Sequence, residues 1–237
     1  MTTETEIERL DRVAQGYRPE GFEKVLVRDS GNRVLARCQG TTCLEVGSAL
    51  GGTTEMLANR FDRLVVMEPA EAYADAVREL NLPSVEVAAS LVEDFETDEK
   101  FDTIVMAHVL EHVEDPVDAL RRCKDMLAPD GIIVVVVPNG GSLHRRLGVT
   151  LGMLEKMTDF SPADVSIGHR RVYETHTLRT DIESAGLTVT DLAGHFCKPL
   201  SSSQIDALPA EVQKGLAALG DELPPEYASE ILIVCRP

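Results

Sequence analysis

The sequence CLEVGSALGG, residues 43–52, joins a short apolar run to a glycine-rich turn. It is followed by an amphipathic segment that can form a helix, 53–60, and by a second apolar run, Arg63-Leu-Val-Val-Met67. A glycine loop between a strand and a helix lets backbone amides approach a ligand, and the helix N-terminus favours a negative group there. This stretch therefore predicts a strand–loop–helix ligand site within an α/β fold.

Short apolar runs and amphipathic segments alternate through the rest of the chain. We expect strands at 43–46, 63–67, 85–88, 101–106, 132–137, 187–192 and 231–234, and helices at 53–60, 70–81, 115–127, 175–186 and 204–219, with two more between residue 5 and about residue 38. Thr175 is the expected N-cap of its helix, and 128–131 should form a tight turn. Continuous apolar strands of this kind predict a parallel sheet covered by helices on both faces, with the ligand beyond the carboxyl ends of the strands.

The composition excludes several classes of partner. A net charge of −17 and an aromatic content of 4% argue against a nucleic-acid partner, which needs a basic footprint and stacking surfaces. The same charge disfavours an anionic membrane surface, and the longest apolar stretch, 132–137, is too short to span a bilayer.

The N-terminal residues lack the basic start and apolar run of a secretory signal. Five cysteines occur without C-x-x-C spacing, which is typical of reduced thiols and indicates neither disulfides nor a metal site. We therefore expect a cytoplasmic protein without a metal, built as a single domain over 1–237. Its parts would be an N-terminal helical cap (1–40), a cofactor-binding core (41–138), an acceptor-side insertion or lid (139–175) and C-terminal helices and strands (176–237).

An acidic residue at the end of the second strand narrows the ligand class. Glu68, followed by Pro69, can accept hydrogen bonds from both hydroxyls of a ribose. The glycine loop and Glu68 fit an NAD site as well as an adenosylmethionine site. The order Gly47-Ser-Ala-Leu-Gly51 departs from the tight G-x-G-x-x-G of a dinucleotide fold.

The motifs of the whole core distinguish an adenosylmethionine site from an NAD site. The segments LEVGSALGG, VVMEP, FDTIVMAHVLEHVEDP and LAPDGIIVVVVPN occur in this order between residue 41 and residue 139. Together they resemble the ordered motifs of class I S-adenosylmethionine-dependent methyltransferases, and most of all the subgroup that acts on quinone precursors, sugars and other small metabolites. The resemblance implies a Rossmann-like, seven-stranded, mostly parallel sheet in the order 3-2-1-4-5-7-6, with strand 7 antiparallel.

The resemblance also implies which residues bind the cofactor, S-adenosyl-L-methionine. The first motif would surround the methionine part of the cofactor, and Glu68 and Pro69 would contact the ribose. The segment after strand three would contact the adenine. The first residue after strand four would lie close to the sulfonium. The implied cofactor-binding residues are Tyr17, Glu45, Gly47, Ser48, Gly51, Glu68, Pro69, Ser90, Leu91, Val92 and His108. The chain departs from the family's pattern at Ala49, where glycine is frequent, and at Ser90, where an acidic residue is frequent.

Methyl transfer to oxygen or to a protonated nitrogen also requires a base. His112 is the first candidate, because the family often has a histidine there, and His169 is the second. The alternative is that His112 pairs with the backbone and holds its loop.

Basic residues concentrate in the segment 139–173, whose five Lys and Arg face three Asp and Glu. Such a reversal of sign can bind a phosphate or carboxylate on the acceptor, or it can neutralise neighbouring acids. The candidate acceptor-binding residues are His144, Arg145, Arg170, Arg171 and Tyr173.

The sequence thus predicts an O- or N-methyltransferase for a small, anionic metabolite such as a sugar or nucleotide-sugar derivative. Two alternatives stay open: a noncatalytic module that binds the cofactor or a partner protein, and an NAD-dependent enzyme.

Overall fold

The computed structural model describes residues 5–16 and 19–237. Tyr17, one of the predicted cofactor-binding residues, lies outside the described residues. Within them, seven strands form one sheet in the order β3-β2-β1-β4-β5-β7-β6. The strands are β1 (Thr42–Val46), β2 (Arg63–Met67), β3 (Val85–Ala88), β4 (Phe101–Ala107), β5 (Leu127–Pro138), β6 (Thr188–His195) and β7 (Glu230–Arg236).

Strand β7 runs antiparallel to both of its neighbours, and the other pairs of the sheet are parallel. This confirms the predicted strand order and the direction of the seventh strand. The expected turn at 128–131 is an irregularity inside β5, where the pairing with β4 shifts between Phe101–Leu127 and Thr103–Ile132.

Two helices of the described residues precede β1, and the others lie in the connections between strands. The helices are α1 (Glu6–Gly16), α2 (Phe22–Leu35), α3 (Gly52–Ala58), α4 (Glu71–Glu79), α5 (Pro116–Asp125), α6 (Leu143–Thr150), α7 (Pro162–Ser166), α8 (Thr175–Ser184), α9 (Ser202–Asp206) and α10 (Ala210–Gly220). None of them is long and apolar enough to cross a bilayer.

Two local predictions about the C-terminal helices are wrong. The helix expected over 204–219 is divided into α9 and α10, because Pro209 between them has no backbone N–H and its ring would clash with a preceding turn. The N-cap of α8 is Glu174 rather than Thr175. The Glu174 backbone N–H donates to the hydroxyl of Thr177 at 3.0 Å, which fixes the first turn one residue earlier.

The helices cover both faces of the sheet and bury two separate apolar layers. On one face Val34 of α2, Leu57 of α3 and Val77 of α4 pack against β2 and β5. On the other face Leu120 of α5 and Ile182 of α8 pack against β4, β5 and β7. Each fully buried side chain of this size stabilises the fold by about 1.5–3 kcal/mol. This burial on both faces keeps the strands rigid and holds their carboxyl ends at one edge.

The rigidity of that edge depends in part on the cap of α5, which follows the loop after β4. The Asp115 carboxylate accepts from the backbone N–H groups of Val117 and Asp118, each at 3.0 Å. We expect Asp115→Ala to lower the free energy of unfolding by about 1 kcal/mol, measured by urea denaturation, because two helix N–H groups lose their acceptor. The matched control is Asp125→Ala at the other end of α5, which should change it by less than about 0.5 kcal/mol. Equal effects of the two substitutions would show that the cap does not stabilise this edge.

Candidate functional site

A large cleft opens at the carboxyl ends of β1, β2 and β4, with a volume of about 1240 Å³. Its floor is the loop between β1 and α3, its sides are the segments after β2, β3 and β4, and helices α1 and α2 border its rim. This is the position expected for a ligand of a parallel sheet, because loops on both sides of the central strands diverge there.

The glycine loop is fixed by the carboxylate of Glu68. Oε2 of Glu68 accepts from the backbone N–H of Ser48 at 2.9 Å, from the N–H of Ala49 at 3.1 Å and from the Ser48 hydroxyl at 3.2 Å. Oε1 accepts from the N–H of Ala70 at 3.0 Å. Burial raises the pKa of Glu68, while these amides act in the opposite direction by stabilising the charged form.

Backbone conformation explains the glycines in this loop. Gly47 and Gly51 have backbone φ angles of 73° and 79°, which residues other than glycine seldom adopt. A Cβ on Gly47 would lie 2.8 Å from a methyl carbon of Val109, and one on Gly51 would lie 2.7 Å from a methyl carbon of Leu80. Gly47 lines the cleft, whereas Gly51 does not and serves the turn into α3.

Glu45 lies below the loop and connects β1 to α3. Its carboxyl group accepts from the Thr54 hydroxyl at 2.6 Å, and burial raises its pKa to about 8. Burial therefore favours the protonated form of this carboxyl group. The bond to Thr54 holds the glycine loop against helix α3.

His108, the first residue after β4, stands between two buried carboxylates. Its Nε2 is 3.3 Å from Oε1 of Glu230, and its Nδ1 is 3.5 Å from Oε1 of Glu111. His195 contacts the other oxygen of Glu230 at 2.5 Å. Burial opposes a charge on His108, but the two carboxylates outweigh it and hold its pKa well above the usual value. The two carboxylates therefore favour the protonated form of His108 in the cleft wall.

Two further imidazoles lie beside His108. The rings of His112 and His169 meet edge to face, with centroids 4.8 Å apart. Burial lowers the pKa of His112 to about 4, so this imidazole is neutral near neutral pH. Nδ1 of His169 is 3.0 Å from the carboxylate of Asp164, which fixes the orientation of that ring. Together with Glu111, these imidazoles form the one group of the described residues whose side chains could ligate a metal ion.

Sequence comparison agrees with this geometry. Residues 17–192, about three quarters of the chain, match the sequence model of the family described as "Methyltransferase domain". The chain belongs to this methyltransferase family.

Individual relatives of the methyltransferase carry related names. A probable S-adenosylmethionine-dependent methyltransferase of Mycolicibacterium smegmatis is 27% identical over 78% of this chain and 68% of its own length. A ubiquinone biosynthesis O-methyltransferase of Rhizobium etli is 25% identical over 69% of the chain and 66% of its own length. Nodulation protein S of Bradyrhizobium diazoefficiens is 36% identical, but over only 39% of the chain and 47% of its own length.

Solved structures show the same fold. The N-methyltransferase NodS of Bradyrhizobium japonicum, in complex with S-adenosyl-L-homocysteine, superposes with a TM-score of 0.61 at 22% identity, over 98% of this chain and 97% of that one. With the family established, the cofactor of the methyltransferase is S-adenosylmethionine.

The cleft fits an adenosyl group. Each carboxylate oxygen has two lone-pair sites; Oε1 of Glu68 accepts only from Ala70, whereas Oε2 is contacted by three donors. One ribose hydroxyl can therefore bond Oε1 directly. The second can take the place of the Ser48 hydroxyl, the longest of the four bonds at 3.2 Å and a freely rotating group. Ser90, Leu91 and Val92 line the cleft beside this position, where adenine is expected.

The predicted acceptor-binding residues lie outside the cleft, because their polar groups bind other parts of the protein. Arg145 is buried and pairs with Asp164, and Arg170 pairs with Glu6. The remaining three are similarly engaged: Arg171 donates to the carbonyls of Leu110, Val113 and Glu114, the Tyr173 hydroxyl donates to Asp181, and His144 bonds the Ser142 hydroxyl. The local excess of positive charge thus stabilises the insertion and its contacts, and the anion-binding prediction for these residues loses its geometric basis.

The basic residues that do border the cleft were not predicted from the sequence. Lys24 and Arg28 on α2 line it and have no ion-pair partner among the described residues. The sequence does contain one indication of this pair: residues four positions apart on a predicted helix lie on the same face of that helix. The acidic residues of the described lining are more numerous: Glu6, Glu20, Glu45, Glu55, Glu68, Glu93, Asp94, Glu111, Glu114 and Asp115.

The assignment of Glu68 to the ribose can be tested by cofactor binding. We expect Glu68→Ala to weaken S-adenosylhomocysteine binding at least about 100-fold by isothermal titration calorimetry, since both ribose hydroxyls lose a charged acceptor and two loop amides lose theirs. Ser48→Ala, which removes only the displaceable hydroxyl, should change the affinity by less than about threefold. Unchanged affinity of the Glu68 variant would refute the ribose assignment.

Proposed function

We propose that the chain transfers the methyl group of S-adenosylmethionine to an oxygen or nitrogen of a small acceptor. The observation that supports this most is the continuity of the cleft, which runs from Glu68 and the glycine loop past His108 to His112 and His169. A cofactor held at the first end would place its methyl group near His108, facing an acceptor at the second end. We also propose that the whole chain acts as one domain, because its strands share one sheet.

The bound cofactor supplies an activated methyl group, and the displacement is in line with the bond that breaks. The protein must therefore align the acceptor and exclude water. Val13 of α1, Val109, Val113 and Ile167 line the acceptor half of the cleft with apolar groups. These side chains lower the water content around the reacting atoms.

Proton removal is the second task of this end of the cleft. The proposal assigns it to His112, with His169 as its neighbour, because both imidazoles line the cleft beyond the position of the methyl group. Asp164 orients the His169 ring by accepting at Nδ1, which leaves Nε2 as the nitrogen available to the cleft.

The acidic lining bears on the class of acceptor. A cleft with this excess of carboxylates attracts cationic groups and repels anions. It therefore favours a neutral acceptor or an amine, in line with the N-methyltransferase NodS among similar structures. A nucleotide sugar stays a candidate if its phosphates reach the rim at Lys24 and Arg28, the cations described there.

The strand order argues against the NAD-dependent alternative. A dinucleotide fold has the order 3-2-1-4-5-6 with parallel strands, whereas here an antiparallel strand lies between β5 and β6. The noncatalytic alternative differs from the proposal in turnover alone, which an assay decides.

The histidine assignment is tested by single substitutions. We expect His112→Ala and His169→Ala each to lower kcat by about 10²–10⁴-fold in a methyl-transfer assay, since removing a proton acceptor has a cost of this order. His176→Ala is the matched control, because His176 is exposed on α8 away from the cleft, and its kcat should equal that of the wild type. Wild-type kcat in both cleft variants would exclude these imidazoles from the chemistry.

The acceptor class is tested with a panel of hydroxyl and amine compounds, including amino sugars, phenols, nucleotide sugars and carboxylated metabolites. Formation of S-adenosylhomocysteine should be fastest with neutral or amine acceptors. Faster turnover of phosphorylated acceptors that is lost in Lys24→Ala and Arg28→Ala would instead establish an anionic acceptor. Cofactor binding with no turnover on the whole panel would support the noncatalytic alternative.

A further inference from the structure

Three potential metal ligands converge at the acceptor end of the cleft, although no spacing in the sequence indicated them. Glu111, His112 and His169 each offer a ligand atom, and these atoms lie within 4.8 Å of one another. Ligand atoms around a tetrahedral Zn²⁺ are roughly 3.4 Å apart, so the widest pair would have to close by about 1.5 Å. Adjustments of the side-chain torsions can supply a movement of this size.

The carboxylate of Glu111 is buried without a hydrogen bond. The residue is 1% exposed, and neither of its side-chain oxygens has a hydrogen-bond partner among the described residues. The nearest ring nitrogen, Nδ1 of His108, is 3.5 Å away, beyond the usual length of such a bond. The ion pair with His108 compensates part of the burial of this carboxylate, and a metal cation at its oxygens would compensate it further.

The His169 imidazole is oriented as metal-ligating imidazoles usually are. A histidine ligand usually donates its second ring N–H to a carboxylate or a backbone carbonyl. Nδ1 of His169 faces the carboxylate of Asp164 at 3.0 Å. Asp164 is itself fixed by Arg145 at 3.1 Å and by the Ser161 backbone N–H at 2.7 Å.

We propose that Glu111, His112 and His169 form a binding site for a first-row divalent cation such as Zn²⁺ or Co²⁺. Two imidazoles and one carboxylate suit these ions, and three protein ligands leave positions for an exogenous oxygen or nitrogen. The acidic lining of the cleft would raise the local concentration of any divalent cation.

This inference rests on the proposed function in one respect, which is the use of the coordination positions of the ion that no protein ligand fills. They would hold the acceptor through its reacting hydroxyl or amine, and the ion would lower the pKa of that group. The acceptor would then be a compound with a second donor atom beside the one that is methylated. An imidazole bound to the ion is not a free base, so His112 and His169 would serve as bases in the manner proposed above only in the metal-free chain.

The test is a titration of the EDTA-treated, desalted full chain with Co²⁺, followed by visible absorption and calorimetry. We expect one ion per chain, d–d bands typical of a low-coordinate site with nitrogen ligands, and loss of these bands when Zn²⁺ is added. Glu111→Gln should weaken Co²⁺ binding at least tenfold. The matched control His176→Gln, which removes an exposed imidazole, should bind like the wild type.

S-adenosylhomocysteine binding reports the folding of each variant, because Glu111 is not among the predicted cofactor contacts. If Glu111→Gln fails to bind the product, His169→Gln takes its place in the comparison with the same expected loss. Absence of Co²⁺ binding by the wild type, or equal binding by the wild type and a folded ligand variant, would overturn the site. A chain that binds the product but no Co²⁺ keeps the proposed function, whereas one that binds Co²⁺ but no product loses it and keeps the cation site.

Discussion

The hydrogen bonds from the glycine loop to the carboxylate of Glu68 are the constraint on which the rest of the site depends. They join the ends of β1 and β2 through the backbone amides of Ser48 and Ala49, at distances of 2.9 and 3.1 Å. Because the acceptor is a buried carboxylate, each bond is stronger than one between neutral groups. The loop is thus set in shape before any ligand binds, which reduces the ordering cost of binding.

The acceptor end is organised by a different principle. Its central groups, His108 and Glu111, follow β4 directly and inherit the rigidity of the buried sheet. His169 comes from the insertion and reaches the cleft through a chain of contacts that runs from Arg145 to Asp164 and on to its ring. Among the basic residues of the insertion, Arg145 therefore contributes to the site by fixing Asp164, which in turn orients the His169 ring.

The fold was predictable because its strands are apolar runs bounded by turn residues, and the resemblance of four motifs then supplied the order of the sheet. Local errors arose where one residue decides the outcome, as Pro209 does in dividing α9 from α10. Glu68 and His108 directly follow strands whose ends could be recognised in the sequence. Their position at the same edge of the sheet could therefore be predicted. The partners of Arg170 and Arg171 could not be predicted, because Glu6 and the carbonyls after β4 are distant in sequence. The absence of a hydrogen bond to the Glu111 carboxylate among the described residues is likewise a property of packing that no spacing reveals.

A crystal structure of the complex with S-adenosylhomocysteine tests the central claim most directly. The account predicts both ribose hydroxyls on the Glu68 carboxylate, the Ser48 hydroxyl turned away from it, and the sulfur directed toward His108. Product bound elsewhere, or bound with the ribose out of reach of Glu68, would contradict it.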